Sequence, residues 1–267
     1  MYFVFTRIAR KNSTNLFNSV LSLLTFALFP FLPYKYAMRF YFIRHAQSIN
    51  NALFEATGAE KGRSEDPELS SLGIKQAVAL GDFLSRNNDP LDGGQRFTHL
   101  YCSTMTRAIQ TALEVGRGTG LAPVIWEEWH ETGGIWLEQD GVQVGQAGKN
   151  RVELEARFPG FDFSIYGTQG WWSRAAETDC APRAVGAWAA LLERHGGTKD
   201  RVAIVSHGHF YAHIMGQALG LEVGSGKHWF MLNNTAMTRI DLSETEHLSR
   251  ELKYANRLAH LSLEQIS

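Results

Sequence analysis

The strongest constraint on the fold is a pair of short, unbroken apolar runs, Phe40-Tyr41-Phe42-Ile43 and Val202-Ala203-Ile204-Val205, each followed by polar residues. Runs this short, rich in aromatic and β-branched residues, read as strands buried on both faces rather than as helices. Such strands belong to sheets covered by helices above and below. The surrounding chain alternates accordingly. Strands are expected near residues 39–43, 98–102, 123–126, 201–205, 229–233 and 236–241, and helices near 71–86, 104–117, 182–195 and 208–219. In the first of these helices Leu72, Ala77, Leu80 and Leu84 fall on one side. The pattern predicts an α/β fold of three layers, αβα, with a mostly parallel central sheet and helices on both faces. No Pro- or Ser-rich divider interrupts the 267 residues, so one domain is expected over 38–267. Its least regular stretch, 139–177, contains Phe158-Pro159-Gly160 and Gly170-Trp171-Trp172. That stretch is expected to be an inserted cap over the binding crevice, where substrate selectivity resides.

Ligands of open α/β sheets sit outside the carboxyl ends of the strands. The two apolar runs end in Arg44-His45-Ala46-Gln47-Ser48 and Ser206-His207-Gly208-His209, which brings His45 and His207 to one crevice. A third strand-like segment, His99-Leu100-Tyr101-Cys102, leads into Ser103-Thr104-Met105-Thr106-Arg107. Ser103 is a plausible helix N-cap there, and Arg107 in the first turn faces the same crevice. Two histidines and two planar, permanently charged, bidentate donors suit a phosphoryl group.

These segments, with Asp66-Pro67-Glu68-Leu69-Ser70-Ser71-Leu72-Gly73, resemble the histidine phosphatase superfamily from about residue 38 to about residue 240. That group includes cofactor-dependent phosphoglycerate mutases and many small-molecule phosphatases. Ala46 and Gln47 depart from its usual glycine and common glutamate; the lost charge at Gln47 is expected to alter substrate preference. The resemblance implies that His45 attacks phosphorus to form a phosphohistidine. It implies that Arg44 and Arg107 neutralise the phosphate, that His207 donates to the phosphoryl oxygens, and that Asn51 and Gly208 bind substrate. It also implies a proton-donating carboxyl in the loop after the third strand, Glu127-Glu128-Trp129-His130-Glu131-Thr132-Gly133-Gly134. Glu128 and Glu131 both fit an apolar-x-Glu register. Glu131 is preferred, because the glycine pair after it lets backbone approach a ligand closely.

The expected activity is hydrolysis of a phosphate monoester without a metal or other cofactor. A mutase-type phosphotransferase and a non-catalytic phosphate-binding module are the alternatives. A mutase would carry a Glu-Arg-His-Tyr-Gly stretch that this chain lacks, and a binding module would lack the nucleophile or acid. The cluster His207-x-His209-x₃-His213 invites a metal reading, yet no aspartate or cysteine stands at matching spacing. His209 and His213, four apart, are expected to pack or to rim the crevice. Trp126, Trp129, Trp136, Trp171, Trp172 and Trp229 are expected in the core or the crevice wall.

A net charge of −1 with no basic stripe points away from nucleic acid and toward a small phosphate ester as partner. Two cysteines, Cys102 and Cys180, make no disulfide framework and agree with a cytoplasmic location. Residues 1–37 place Arg7, Arg10 and Lys11 before an apolar stretch from Leu16 to Pro33. An upstream start assignment, a membrane anchor and a cleaved signal all fit in outline. Asn18, Ser19 and Ser22 interrupt the stretch and Pro30 and Pro33 break its end, which favours the first reading, with Met38 opening the domain. Membrane contact is expected only if this segment is an authentic anchor.

Overall fold

The computed structural model describes residues 36–86, 91, 96–172, 174–224, 227–243 and 249–267. The readings of the N-terminal segment therefore fall outside the described residues up to residue 35. In chain order the elements are β1 (Tyr36–Arg44), α1 (Ile49–Thr57), α2 (Ser71–Arg86), β2 (His99–Cys102), α3 (Thr106–Thr119), β3 (Val124–Ile125), β4 (Trp136–Gln139), β5 (Val142–Gly145), α4 (Arg151–Arg157), α5 (Ala181–His195), β6 (Arg201–Ser206), α6 (Gly208–Leu219), β7 (Met237–Ser243) and β8 (Ser249–Arg257). Among these, no helix is long and apolar enough to cross a membrane.

Six strands form one sheet in the order β3-β2-β6-β1-β7-β8. Strands β3, β2, β6 and β1 run parallel, and β7 and β8 add antiparallel neighbours on one side. The side-chain period of two divides the core. Phe40 and Phe42 pack with Val202, Ile204 and the α5 and α6 residues Trp188, Leu191, Phe210 and Ile214. Tyr41 and Ile43 point the other way, to Ala203, Val205 and the α2 and α3 residues Leu80, Ala108, Ile109 and Ala112. This is the expected three-layer αβα architecture.

Several local expectations change. Residues 229–233 are not a strand and join neither sheet. Trp229 and Met231 are instead 45% and 76% exposed in a loop. The final strand β8 carries Ser-Arg-Glu-Leu-Lys-Tyr-Ala-Asn-Arg, a charged edge sequence with no apolar run to betray it. Helix α1 buries no residue and is marked only by its capping box, Ser48 with Asn51. The segment expected to be irregular holds most of the β4–β5 hairpin and the short helix α4. The first strand begins at Tyr36, two residues before Met38.

One close approach locks the first two motifs together. A Cβ on Gly73, at the start of α2, would lie 1.9 Å from the backbone oxygen of Gln47. Helix α2 can therefore press against the loop after His45 only with glycine there. The substitution Gly73→Ala is expected to cost about 1–3 kcal/mol through forced backbone movement, read as a fall in Tm together with a loss of turnover.

Candidate active site

Parallel pairing sets Arg44 beside Ser206 and Cys102 beside Val205, so β1, β2 and β6 end level. His45 N–H donates to the Ser206 carbonyl at 2.9 Å, and Ser103 N–H to that of Val205 at 3.1 Å. Beyond these ends opens a cavity of about 720 Å³, a volume typical of small-molecule sites. Arg44, His45, Asn51, Arg107, Glu131 and Gly208 all line it. His207 lies directly behind, with its ring centroid 5.0 Å from that of His45.

His45 is 3% exposed, and its two ring nitrogens are differentiated by their partners. Nδ1 lies 2.7 Å from the Ala46 carbonyl, which can only accept, so Nδ1 carries the proton. Nε2 accepts from Arg107 Nε–H at 3.2 Å, which requires a lone pair there. Burial, then the nearby Arg107 and Arg44, hold the imidazole pKa well below its ordinary value, so the ring is neutral.

Arg107 reaches the cavity from the first turn of α3. Its helix is anchored from outside by Asp66, which accepts from Thr106 N–H at 3.0 Å and from the Thr106 hydroxyl. Asp66 also pairs with Lys149 at 2.9 Å and lies 4.0 Å from the Arg107 guanidinium. The N-cap is Met105 rather than Ser103, and it has no side-chain cap bond, since Asp66 supplies an anion at that end. Ser103 turns its hydroxyl to His207 Nε2 at 2.9 Å. Arg44 donates through Nη1 to the Leu232 carbonyl and packs over Gly208, whose Cβ would lie 3.3 Å from Arg44 Nε. Two buried polar atoms around His45 are without a partner among the described residues: Arg44 Nε and His207 Nδ1.

The two glutamate registers separate cleanly. Glu131 lines the His45 cavity, whereas Glu128 is exposed along a different cleft beside Arg174 and Arg183. The Glu131 carboxylate accepts from Thr132 N–H at 2.9 Å and, at the start of α6, from His209 N–H at 3.2 Å and Phe210 N–H at 2.9 Å. The adjoining glycines serve packing against two tryptophans. At positive φ, a Cβ on Gly133 would meet Trp136 Nε1 at 2.5 Å and one on Gly134 would meet the Trp172 ring at 2.1 Å.

Gln47 does not line the cavity: it is buried, donates to Glu55 at 2.7 Å and accepts from the Ser70 hydroxyl. His209 and His213 pack edge-on against Trp229 instead of converging with His207 on a metal. Five of the six tryptophans named above are buried, and Trp229 stands at the cavity wall. Sequence reasoning missed Asn234, whose Nδ2 donates to the His45 carbonyl at 2.9 Å. It also missed Thr235, held at φ 57° while its N–H donates to the carbonyls of Arg44 and His45. A β-branched residue in that region is strained backbone, placed here directly behind His45. The one signal available was the Asn233-Asn234 pair, a turn former.

A family model, histidine phosphatase superfamily (branch 1), matches residues 40–254, and the chain belongs to that superfamily. No curated protein matches the sequence significantly. Among solved structures, the fold resembles a mycobacterial glucosyl-3-phosphoglycerate phosphatase with inorganic phosphate (22% identity, 85% of this chain and 100% of that one, TM-score 0.52). It also resembles a phosphoserine phosphatase mutant from Entamoeba histolytica with phosphoserine (18% identity, 84% and 100%, TM-score 0.53). A putative alpha-ribazole-5'-P phosphatase from Escherichia coli is similar too (20% identity, 83% and 98%, TM-score 0.54).

The buried histidines carry a pH prediction. Burial lowers the pKa of His45 and His207, and brings His130 to about 3 and His260 to about 4. The unfolded chain therefore binds more protons once the pH falls below about 6.5, and stability is lost in that direction. Tm measured by calorimetry is expected to be flat above about pH 7 and to fall between about pH 6.5 and pH 5, before most carboxylates titrate.

Proposed function

We propose that this protein is a metal-independent phosphomonoesterase working through a phosphohistidine on His45. The observation that carries this reading is the pair of hydrogen bonds that fix the tautomer of His45, with Nδ1–H on the Ala46 carbonyl and the Nε2 lone pair held by Arg107 Nε–H, which a bound phosphate would draw onto its own oxygens to free Nε2 for attack. Arg44 and Arg107 cancel the charge of the incoming dianion. Arg44 Nε and His207 Nδ1, buried without partners among the described residues, are the natural donors to its equatorial oxygens. In the first displacement His45 Nε2 bonds to phosphorus, the ester P–O bond breaks, and the Glu131 carboxyl gives its proton to the leaving alkoxide. Water then attacks phosphorus, the Glu131 carboxylate takes a proton from that water, and the P–N bond breaks to release phosphate and neutral His45. The stretch 139–177 acts as the cap: Gln143 and Glu177 lie on the cavity wall with Trp136 just before it, and the cap selects the alcohol part of the substrate. Two buried free thiols, Cys102 and Cys180, agree with a reducing, cytoplasmic setting.

Hydrolysis of a phosphomonoester in excess chelator is expected to persist in the wild type and to vanish in His45→Ala. Activity lost to chelator would overturn metal independence, and activity retained without His45 would overturn the intermediate.

The role of Glu131 has its own test, through the leaving group. With Glu131→Gln, hydrolysis of an alkyl phosphate should fall by about 10²–10⁴-fold, whereas a nitrophenyl phosphate, whose leaving group needs no proton, should lose far less. Arg183 holds the loop that carries this carboxyl. It donates to the carbonyls of Glu128 at 2.7 Å and His130 at 2.9 Å, forks onto Glu177, and lies 4.1 Å over the Phe210 ring. As a positioning residue, Arg183→Ala should show the same leaving-group selectivity in kcat. Equal losses on both esters would make Arg183 merely structural.

A further inference from the structure

At the opposite end of the sheet from His45, three side chains distant in sequence meet: His99 at the first position of β2, His195 at the last position of α5, and Asp200 just before β6. We propose that they form a binding site for a borderline divalent transition-metal ion such as Zn²⁺. Their ligand atoms all lie within 4.8 Å of one another. Asp200 Oδ2 is 2.8 Å from His195 Nδ1 and 3.9 Å from His99 Nδ1. A tetrahedral zinc with bonds of about 2.0–2.1 Å has ligand-to-ligand edges of roughly 3.3 Å, so the two separations bracket that edge. Binding then needs one contact to open and the other to close by about half an ångström each, and the two imidazole nitrogens, within 4.8 Å of one another, to draw together to the same edge. Two imidazoles and a carboxylate favour zinc, copper or nickel over the harder magnesium and calcium.

The surrounding groups fit such an ion. His195 is 2% exposed, and its Nε2 lies 3.1 Å from the Tyr101 hydroxyl. On binding, the proton that His195 Nδ1 shares with Asp200 is replaced by the metal, and Nε2 becomes the protonated nitrogen, donating to the Tyr101 oxygen. An outer hydrogen bond of this kind fixes the orientation of a ligating imidazole. His99 Nδ1 contacts the Thr98 hydroxyl at 2.9 Å; that hydroxyl has the Arg201 carbonyl at 3.3 Å as an alternative acceptor, so the lone pair can turn to a metal. The turn carrying the carboxylate is built in place: Thr198 donates to the His195 carbonyl at 2.7 Å and accepts from Asp200 N–H at 3.0 Å, and the Asp200 carbonyl accepts from Arg39 N–H at 2.8 Å. Two cationic neighbours have partners of their own. Arg201 Nε donates to the Arg96 carbonyl, and the Arg194 guanidinium lies 4.2 Å over the Trp126 ring. His99 and Asp200 have side chains 39% and 25% exposed, which leaves a path from solvent and room for a water as fourth ligand. The sequence predicted no metal because its only dense histidine cluster is His207-His209-His213; here the donors stand 96 and 5 positions apart and only the fold unites them.

The test uses the untagged full chain, stripped with chelator and titrated with Zn²⁺ against a chromophoric competitor, with Tm recorded in parallel. One zinc per chain and a raised Tm are expected. Both should be lost or weakened by at least about 10-fold in His99→Ala, a partly exposed position, and in Asp200→Asn, with the unliganded Tm of His99→Ala close to wild type. Zinc that survives both substitutions but disappears in His45→Ala sits in the phosphate cavity and overturns the proposal, as does the absence of binding at tenfold excess. None of these readouts uses turnover, so the outcome is independent of the phosphatase reading.

Discussion

The site depends on one pairing: β1 lies parallel to β6 with Arg44 level with Ser206. Because the strands run the same way and end together, the residues that follow each of them emerge at one edge. A shift by a single residue would exchange the two faces of β1, sending Phe40 and Phe42 away from α5 and α6. The core and the site are therefore enforced by the same register. The hydrogen bond from His45 N–H to the Ser206 carbonyl extends that ladder one step past the strand and delivers the imidazole to the cavity.

Around that imidazole the protein has arranged cost deliberately. Arg107 and two neutral histidines are buried beside the half-buried Arg44, with Arg44 Nε and His207 Nδ1 left without partners among the described residues. Buried donors in that condition are expensive in a folded chain, and in the mechanism proposed above an anion would satisfy them. The strained Thr235 backbone, pressed against the carbonyls of Arg44 and His45, belongs to the same pattern of local cost at a functional position. The acid-labile stability expected of the buried histidines follows from it too.

How much of this the sequence discloses depends on the range of the physical signal. Strands β1 and β6 are legible because burial on both faces demands unbroken apolar runs. Edge strand β8 and helix α1 are not, since one is charged along its length and the other buries no side chain. Arg44, His45, Arg107, His207 and Glu131 are legible as motif residues, and the cavity gathers four of them with His207 at its back. What stays hidden is the support. Asn234 bonds to His45 across 189 positions, Asp66 anchors the helix of Arg107 across 40, and Arg183 grips the Glu131 loop across 53. Each is an ordinary polar residue until the fold supplies its partner. The loop 229–233 reads as a strand because aromatic residues suit a cavity wall as well as a sheet.

The contact between Gly73 and the Gln47 carbonyl has a consequence for how such a chain can diversify. It welds the loop after His45 to the first long helix, so Gly73 itself has almost no freedom for trial substitutions. The far wall of the cavity is made differently, from α1, which buries no residue, and from the segments around the exposed Gln143 and Met231. Exchange of those exposed segments, by evolution or by an engineer, would leave the weld between Gly73 and Gln47 untouched, so the wall can vary while that joint stays fixed.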